Sequence, residues 1–250
     1  MKRSVLMIIV ALMACMTVNA ETGLKDSKLR YGMYLGPIKA GEAQLITRNV
    51  TYDGKEAVRM DLIARTTSAV EKIFSLNDTI TTFMKADDMT SMYFSKHCFE
   101  GDDIVLEKAE FSRLQNGKYQ AKMRKDYKDG RVKERTETCD TPIYDMLSVV
   151  QFSRSIDTSS LTKGKRMTFW LVDAAEIIEE CLIYQGRETV KISGKKFNCL
   201  VYKLVEPYVE KGKKKDREIL NIYVNDDEAR TIVEMDIKFK VGTAKTKIIL

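Results

Sequence analysis

Alternation of apolar and polar residues dominates this chain. From Val233 to Val241, the residues Val233, Met235, Ile237, Phe239 and Val241 take alternate positions, and Glu234, Asp236, Lys238 and Lys240 fill the gaps. Successive side chains of a strand point to opposite faces, so the segment predicts a strand with one dry and one wet face. Val58, Met60, Leu62 and Ala64 repeat the pattern, as do Met167, Phe169 and Leu171. A sheet wet on one side is normally antiparallel.

The turn signals agree. Asp53-Gly54, Asn116-Gly117, Asp129-Gly130 and Ser193-Gly194 each separate strand-like runs, and such pairs accept the positive φ of tight hairpins. Hairpins at this spacing imply about a dozen strands. The chain has only 3 prolines, which suits long ladders. One segment departs from the two-residue period: Ile143, Met146, Leu147, Val150 and Phe152 approximate helical spacing, with Thr141 as N-cap and Pro142 at the first helical position. A shorter helical turn is expected around Ala69 to Phe74. The expected fold is therefore mainly β: a large curved antiparallel sheet or half-open β-barrel, with one helix (about 142–155) against its concave face. Such a barrel leaves an apolar mouth suited to a ligand, with Trp170, Tyr144 and Phe152 as candidate lining residues.

The N-terminus changes the setting. Lys2 and Arg3 precede an apolar run from Val5 to Met13, and Val18-Asn19-Ala20 forms a small-residue cleavage pattern. Residues 1–20 read as a signal peptide and 21–250 as a single β-rich domain, exported to the periplasm. The apolar run is shorter than the roughly 20 residues of a membrane span, and no second candidate follows it. Leu12-Met13-Ala14-Cys15 also resembles a lipobox, and cleavage there would leave a lipoprotein anchored through Cys15. An acyl chain adds about 0.8 kcal/mol of membrane affinity per buried methylene.

The net charge of +6 falls to +4 when Lys2 and Arg3 leave with the leader, a mild value that does not single out nucleic acid. The basic residues cluster once, from Glu210 to Glu218, which reads as a solvated hairpin tip. Its net attraction to an anionic membrane is roughly 2 kcal/mol, too weak to hold the protein without the lipid anchor. Cys98, Cys139, Cys181 and Cys199 follow the leader. An exported chain permits either buried thiols or one or two bridges. Cys181 with Cys199 is the favoured pair, since they fall on neighbouring strands.

Catalytic signatures are missing. His97 is the only histidine, and on a strand it points away from Cys98. No glycine-rich phosphate loop, nucleophile elbow, zinc-binding or calcium-loop motif occurs, so no cofactor or metal is indicated. The acidic pairs Asp87-Asp88, Asp102-Asp103 and Asp226-Asp227 fall where turns are expected. Glu176, Glu179 and Glu180 read as an exposed face leading into the Cys181 strand.

Three stretches taken together resemble an exported bacterial family known as domain of unknown function 3108. Tyr31 to Ala43 (YGMYLGPIKAGEA) is similar to its opening strands, Tyr144 to Arg154 (YDMLSVVQFSR) to its central helix, and Leu220 to Arg230 (LNIYVNDDEAR) to its C-terminal hairpin. Ile232 stands where the family turn usually has proline, and Asn225 replaces a commoner serine. The resemblance implies an exported, β-rich envelope protein with no assigned reaction. Asp227 and Arg230 are expected to pair across the turn, a contact worth under about 1 kcal/mol if exposed.

The functional expectation is a non-enzymatic carrier for a hydrophobic or lipid-like ligand. The alternatives are a structural or interaction module that contacts an envelope protein partner, and a hydrolase of envelope glycans or peptides. A hydrolase would need two carboxyl groups converging roughly 5 to 9 Å apart. Expressed with its own leader in a Gram-negative host, the protein should give an intact mass that begins at Glu21. An acylated mass beginning at Cys15 would make it a tethered lipoprotein instead.

Overall fold

The structure is a computed structural model that describes residues 25–72, 75–101, 103–239 and 242–250. The leader, with Cys15 and Ala20, lies outside those residues. The first half comprises β1 (Ser27–Leu35), β2 (Ile38–Tyr52), β3 (Lys55–Thr66), a one-turn helix α1 (Ser68–Glu71), β4 (Asn77–Lys85), β5 (Ser91–Glu100), β6 (Asp103–Arg113), β7 (Tyr119–Tyr127) and β8 (Val132–Cys139). A two-residue strand, β9 (Ile143–Tyr144), then leads into helix α2 (Met146–Ser155) and a 3-10 turn at Thr158–Ser160. The second half comprises β10 (Arg166–Asp173), β11 (Glu176–Ile192), β12 (Lys195–Glu210), β13 (Lys213–Asn225), β14 (Ile232–Phe239) and β15 (Gly242–Ile248).

These 15 strands form one sheet. β1 to β8 pair in chain order, β10 to β15 do the same, and β1 pairs with β15 to join the two runs. All of these pairs are antiparallel; β9 alone is parallel, beside β10. The turns use the expected chemistry: Asp53 and Gly54 have φ of 50° and 71°, and Ser193 and Gly194 have 48° and 84°, the pair of positive values that a two-residue hairpin needs.

The sheet curls past closure. Its edges are β8 and β9, and β9 lies against β7. Adjacent residues near the β9–β10 edge belong to different cores. Ile143, Val172, Ala175 and Ile177 pack with Ala109, Ala121 and Met123 of β6 and β7. Tyr144, Leu171 and Ile178 pack with Leu182, Leu200, Tyr202 and Ile222. Because neighbouring side chains on a strand face opposite ways, this edge is covered on both sides and divides the interior. Helix α2 continues the partition, giving Leu147 to the first core and Val149 to the second. The helix therefore sits inside the curl, as its periodicity suggested, but between two packed cores and not beside an open mouth.

Its start also differs from expectation. Asp145, not Thr141, is the N-cap, and Ile143 and Tyr144 are drawn into pairing with β10. Asp145 is fully buried. Its Oδ1 accepts the backbone N–H of Leu147 (2.9 Å) and Ser148 (3.1 Å), and its Oδ2 accepts the hydroxyls of Thr82 (2.7 Å) and Ser91 (2.6 Å). Ser148 Oγ accepts the Asp145 N–H in return (2.8 Å), completing a capping box. At the other end, Arg154 donates to the carbonyls of Arg230 and Ala229, both at 3.0 Å.

The wet face expected on β14 is only partly wet. Val233 falls in a bulge and packs with Phe197 and Cys199, and the Glu234 and Asp236 carboxylates are buried under Lys245, at 3.1 and 2.8 Å. A long lysine stem can cover a carboxylate while its ammonium stays wet, so polar alternation did not mean exposure here.

Asp145→Ala should destabilise the fold by about 2 to 4 kcal/mol, since it removes a cap, strands two buried amides and leaves the Thr82 and Ser91 hydroxyls only their weaker partners, the Tyr93 carbonyl (3.2 Å) and Ser148 Oγ (3.0 Å). Asp145→Asn keeps one acceptor and should cost less. Urea unfolding measures both; a loss under about 1 kcal/mol for the alanine variant would mean that the cap does not hold the helix in place.

Candidate functional site

The overlap of the two edges is held by charge. Lys133 of β8 donates to the Ala174 carbonyl (3.1 Å) and to Glu176 (2.7 Å), which lowers the carboxyl pKa of Glu176. Glu107 of β6 accepts the N–H of Ala174 (3.1 Å), and Lys125 of β7 pairs with its other oxygen at 3.0 Å. Burial is the largest single effect and works against the Lys125 charge, but the hydrogen bond with Glu107 and the attraction of Glu107, Tyr127 and Asp173 together outweigh it and raise the ammonium pKa. Glu107 is only 4% exposed, so removing either partner would strand a buried charge. The β10–β11 turn that this pair grips has φ of 51° at Ala174 and 55° at Ala175, a conformation that costs a non-glycine residue roughly 1 kcal/mol or more.

A cleft of about 740 Å³ opens beside the seam. Cys98, Val105 and Tyr127 lie side by side in the register of β5, β6 and β7, and Lys96, Glu107 and Lys125 form the next row. Both rows are on the face that carries Phe94, Ala109 and Met123 into the first core. The charged row thus lies next to the core, and the row of Cys98, Val105 and Tyr127 lies beyond it as a separate apolar floor towards the end of the strands. The Tyr127 ring has Lys125 Nζ 5.3 Å and Arg131 Cζ 4.8 Å from its centroid. Lys96, Lys125, Lys128 and Arg131 line the cleft together with Glu107, Asp129 and Asp173, leaving it one positive charge in excess. Asp129 is engaged by Arg131 at 2.7 Å. A second cleft, about 620 Å³, lies at the opposite end, where Ser91 and Ile143 meet Lys55, Lys85, Arg113 and Tyr119.

The residues singled out from sequence are dispersed. Tyr144 and Phe152 do come together, with Phe169, at ring separations of 6.0 to 6.5 Å. Trp170 alternates with Phe169 and Leu171 along β10, which puts it on the opposite face of the strand. Cys181 stands opposite Val205, whereas Cys199 is six positions earlier on β12, about 20 Å away along the strand. The expected bridge is not made: both thiols are buried and neither is in a disulfide. Arg230 pairs with Asp226 at 2.7 Å and not with Asp227. Asp227 instead accepts the Arg230 N–H (3.0 Å) and caps the turn, while Asp226 also holds Arg187 at 2.8 Å.

His97 is exposed and Cys98 buried, on opposite faces of β5. Asp88 accepts the Thr90 N–H and hydroxyl, again as a turn former; Asp102 lies outside the described residues. The seam residues Glu107, Lys125 and Lys133 carry no signal in the sequence, where they look like an ordinary wet strand face. Among the described residues no group of three or more metal-ligating side chains converges, and no helix is long and apolar enough to cross a membrane.

A model of the family described as "Protein of unknown function (DUF3108)" matches residues 30–249. No curated protein matches the chain. Among solved structures, the chain is similar to a β-barrel-like protein of domain of unknown function DUF1849 from Brucella abortus. The TM-score is 0.56 and the identity 13%, over 90% of this chain and 95% of that one. At that identity the likeness is one of fold.

Glu180 corrects another sequence expectation, since it is buried at 5% exposure and not part of an open acidic face. It shares the inner face of β11 with Ile178 and Leu182, and one of its oxygens has no hydrogen-bond partner. Burial, then repulsion from Asp173 and Glu206, pushes its pKa from 4.5 to about 7. The folded state therefore keeps a proton that the unfolded chain releases, so stability falls as pH rises from about 4.5 to 7. The loss is on the order of 3 kcal/mol. Glu180→Gln should flatten this dependence and exceed the wild type in stability at pH 8. Urea midpoints at pH 5 and pH 8 measure it; identical slopes for both proteins would refute the assignment.

Proposed function

The chain belongs to the family described as protein of unknown function DUF3108, and from its geometry we propose that it is an exported, non-enzymatic binding protein of the Gram-negative envelope. Its ligand is an anionic, lipid-like amphiphile, held in the seam cleft. The observation that carries this reading is the juxtaposition within the cleft: Cys98, Val105 and Tyr127 form an apolar floor, and Lys96, Lys125, Lys128 and Arg131 line it beside them, one charge in excess of Glu107, Asp129 and Asp173. An acyl or aromatic tail would cover the floor while an anionic head meets the cations. The packed partition argues against the wider apolar lumen that a simple half-barrel would offer.

The packed interior also favours a second reading, an interaction module of the envelope in which the sheet serves as a rigid scaffold. Dodecyl phosphate and the uncharged dodecyl maltoside distinguish the two. Binding can be followed by calorimetry, with the fluorescence of Trp170, the only tryptophan, as a check. Dodecyl phosphate should bind, dodecyl maltoside should bind at least tenfold more weakly, and Lys96→Met with Lys128→Met should abolish that preference. Failure of dodecyl phosphate to bind, or unchanged binding by the double variant, would remove the cleft reading and leave the interaction module.

A further inference from the structure

Among the described residues, the large apolar side chains exposed to solvent are Leu35, Ile38, Phe99, Val132, Tyr208, Val209 and Leu250. All but Leu250 fall at strand ends directed to the same end of the sheet, because the strands alternate in direction around the curl. Tyr208 and Val209 are 40% and 68% exposed, and they stand on the hairpin that carries the lysine cluster.

That hairpin outruns the sheet. β11 pairs with β12 only as far as Val205, and β14 pairs with β13 no nearer the tip than Leu220. From Glu206 to Glu210 and from Lys213 to Arg217 the two strands pair only with each other. The base is pinned: Arg166 of β10 forms a two-pronged bridge to Asp216 (2.8 and 3.0 Å), and Arg217 pairs with Glu206. Beyond it, Tyr208 is opposite Lys215 and Val209 is opposite Lys214. Each face of the tip therefore carries one apolar side chain beside one lysine. Lys211 sits in the turn at a φ of 50°, with Gly212 at 74°.

We infer that the β12–β13 hairpin is a docking surface for an anionic phospholipid bilayer, with Tyr208 and Val209 entering the interface and Lys211, Lys213 and Lys214 meeting phosphate head groups. Stable attachment to a membrane takes two signals, one apolar and one basic. The basic residues alone supply too little, but this hairpin places the apolar signal among them. A protein groove would leave the lysines unmatched unless it were acidic, and the net positive charge of the tip disfavours a second copy of the same surface. The inference does not rest on a ligand in the seam cleft.

The experiment uses protein recovered after export of the full chain. Its partition is measured by co-sedimentation with vesicles of phosphatidylethanolamine and phosphatidylglycerol, and with vesicles of phosphatidylcholine alone. Binding should be confined to the anionic vesicles and weaken with salt. Tyr208→Ser with Val209→Ser should lower the partition coefficient at least tenfold, as should Lys213→Gln with Lys214→Gln. Lys191→Gln with Lys196→Gln removes the same charge from the exposed β11–β12 hairpin at the opposite end and should leave binding unchanged. Equal loss in the two lysine pairs would reduce the effect to general electrostatics and overturn the docking surface. Absence of vesicle binding would overturn it too, and so would self-association abolished by the apolar substitutions, which would assign the tip to a second copy.

Discussion

A helix end buried in a dry interior must have its backbone groups satisfied by something other than water, and the architecture turns on how α2 meets that demand. At its N-terminus the orphan amides are met by Asp145, whose other oxygen takes the hydroxyls of β4 and β5. At its C-terminus Arg154 turns outward to carbonyls of the β13–β14 turn. The negative group lies at the positive end of the helix and the positive group at the negative end, so both also suit the helix dipole. A helix of 10 residues spans about 15 Å, enough to reach from one half of the sheet to the other. It acts as a strut with a different half fixed at each end.

The strut explains where open space is left in the fold. With α2, β9 and β10 covered on both faces, the volume that a half-open barrel would leave is divided and filled. Space remains where the rolled edge meets the sheet it overlaps, because a turn cannot follow the inner surface of β6 and β7 as closely as a strand can. Small side chains make the overlap itself possible: Ala109 and Ala121 have no exposed surface beneath the partition. Further along the same strands the small residues give way to Glu107, Lys125 and Tyr127, and packing gives way to the cleft.

Much of the sheet was legible from its alternation, because a strand covered on one side leaves a plain two-residue signature, and the hairpins from their Asp-Gly, Asn-Gly and Ser-Gly pairs. The partition was not. Ile143 and Tyr144 form a strand too short to show a period, and Asp145 reads as one more polar residue until Thr82 and Ser91, more than fifty positions earlier, close around it. Glu180, Glu234 and Asp236 failed in the same way, since charge predicts exposure only where no neighbour covers or crowds the group. The cysteine pairing erred on a different point: neighbouring strands were correctly identified, but strand adjacency leaves open the register, and the register keeps the two thiols apart.

The three stretches that carry the family likeness are distant in sequence and meet in the fold. Tyr31, in the first, donates its hydroxyl to the Ile232 carbonyl at 3.0 Å, just past the end of the third. Arg154, the last residue of the second, grips Ala229 and Arg230 within the third. Burial drives the Tyr31 hydroxyl far above its ordinary pKa, so it stays a neutral donor at any physiological pH. The Arg154 guanidinium, by contrast, is always charged. A neutral donor and a charged one thus converge on the Ala229, Arg230 and Ile232 carbonyls, at one turn and the start of the strand that leaves it, where Arg230 has a φ of 47° and Asp227 holds its amide. These residues do the work of joining the strut to the wall. A likeness built on them is a likeness of framework, and the seam cleft and the projecting tip of the β12–β13 hairpin both lie outside the three stretches.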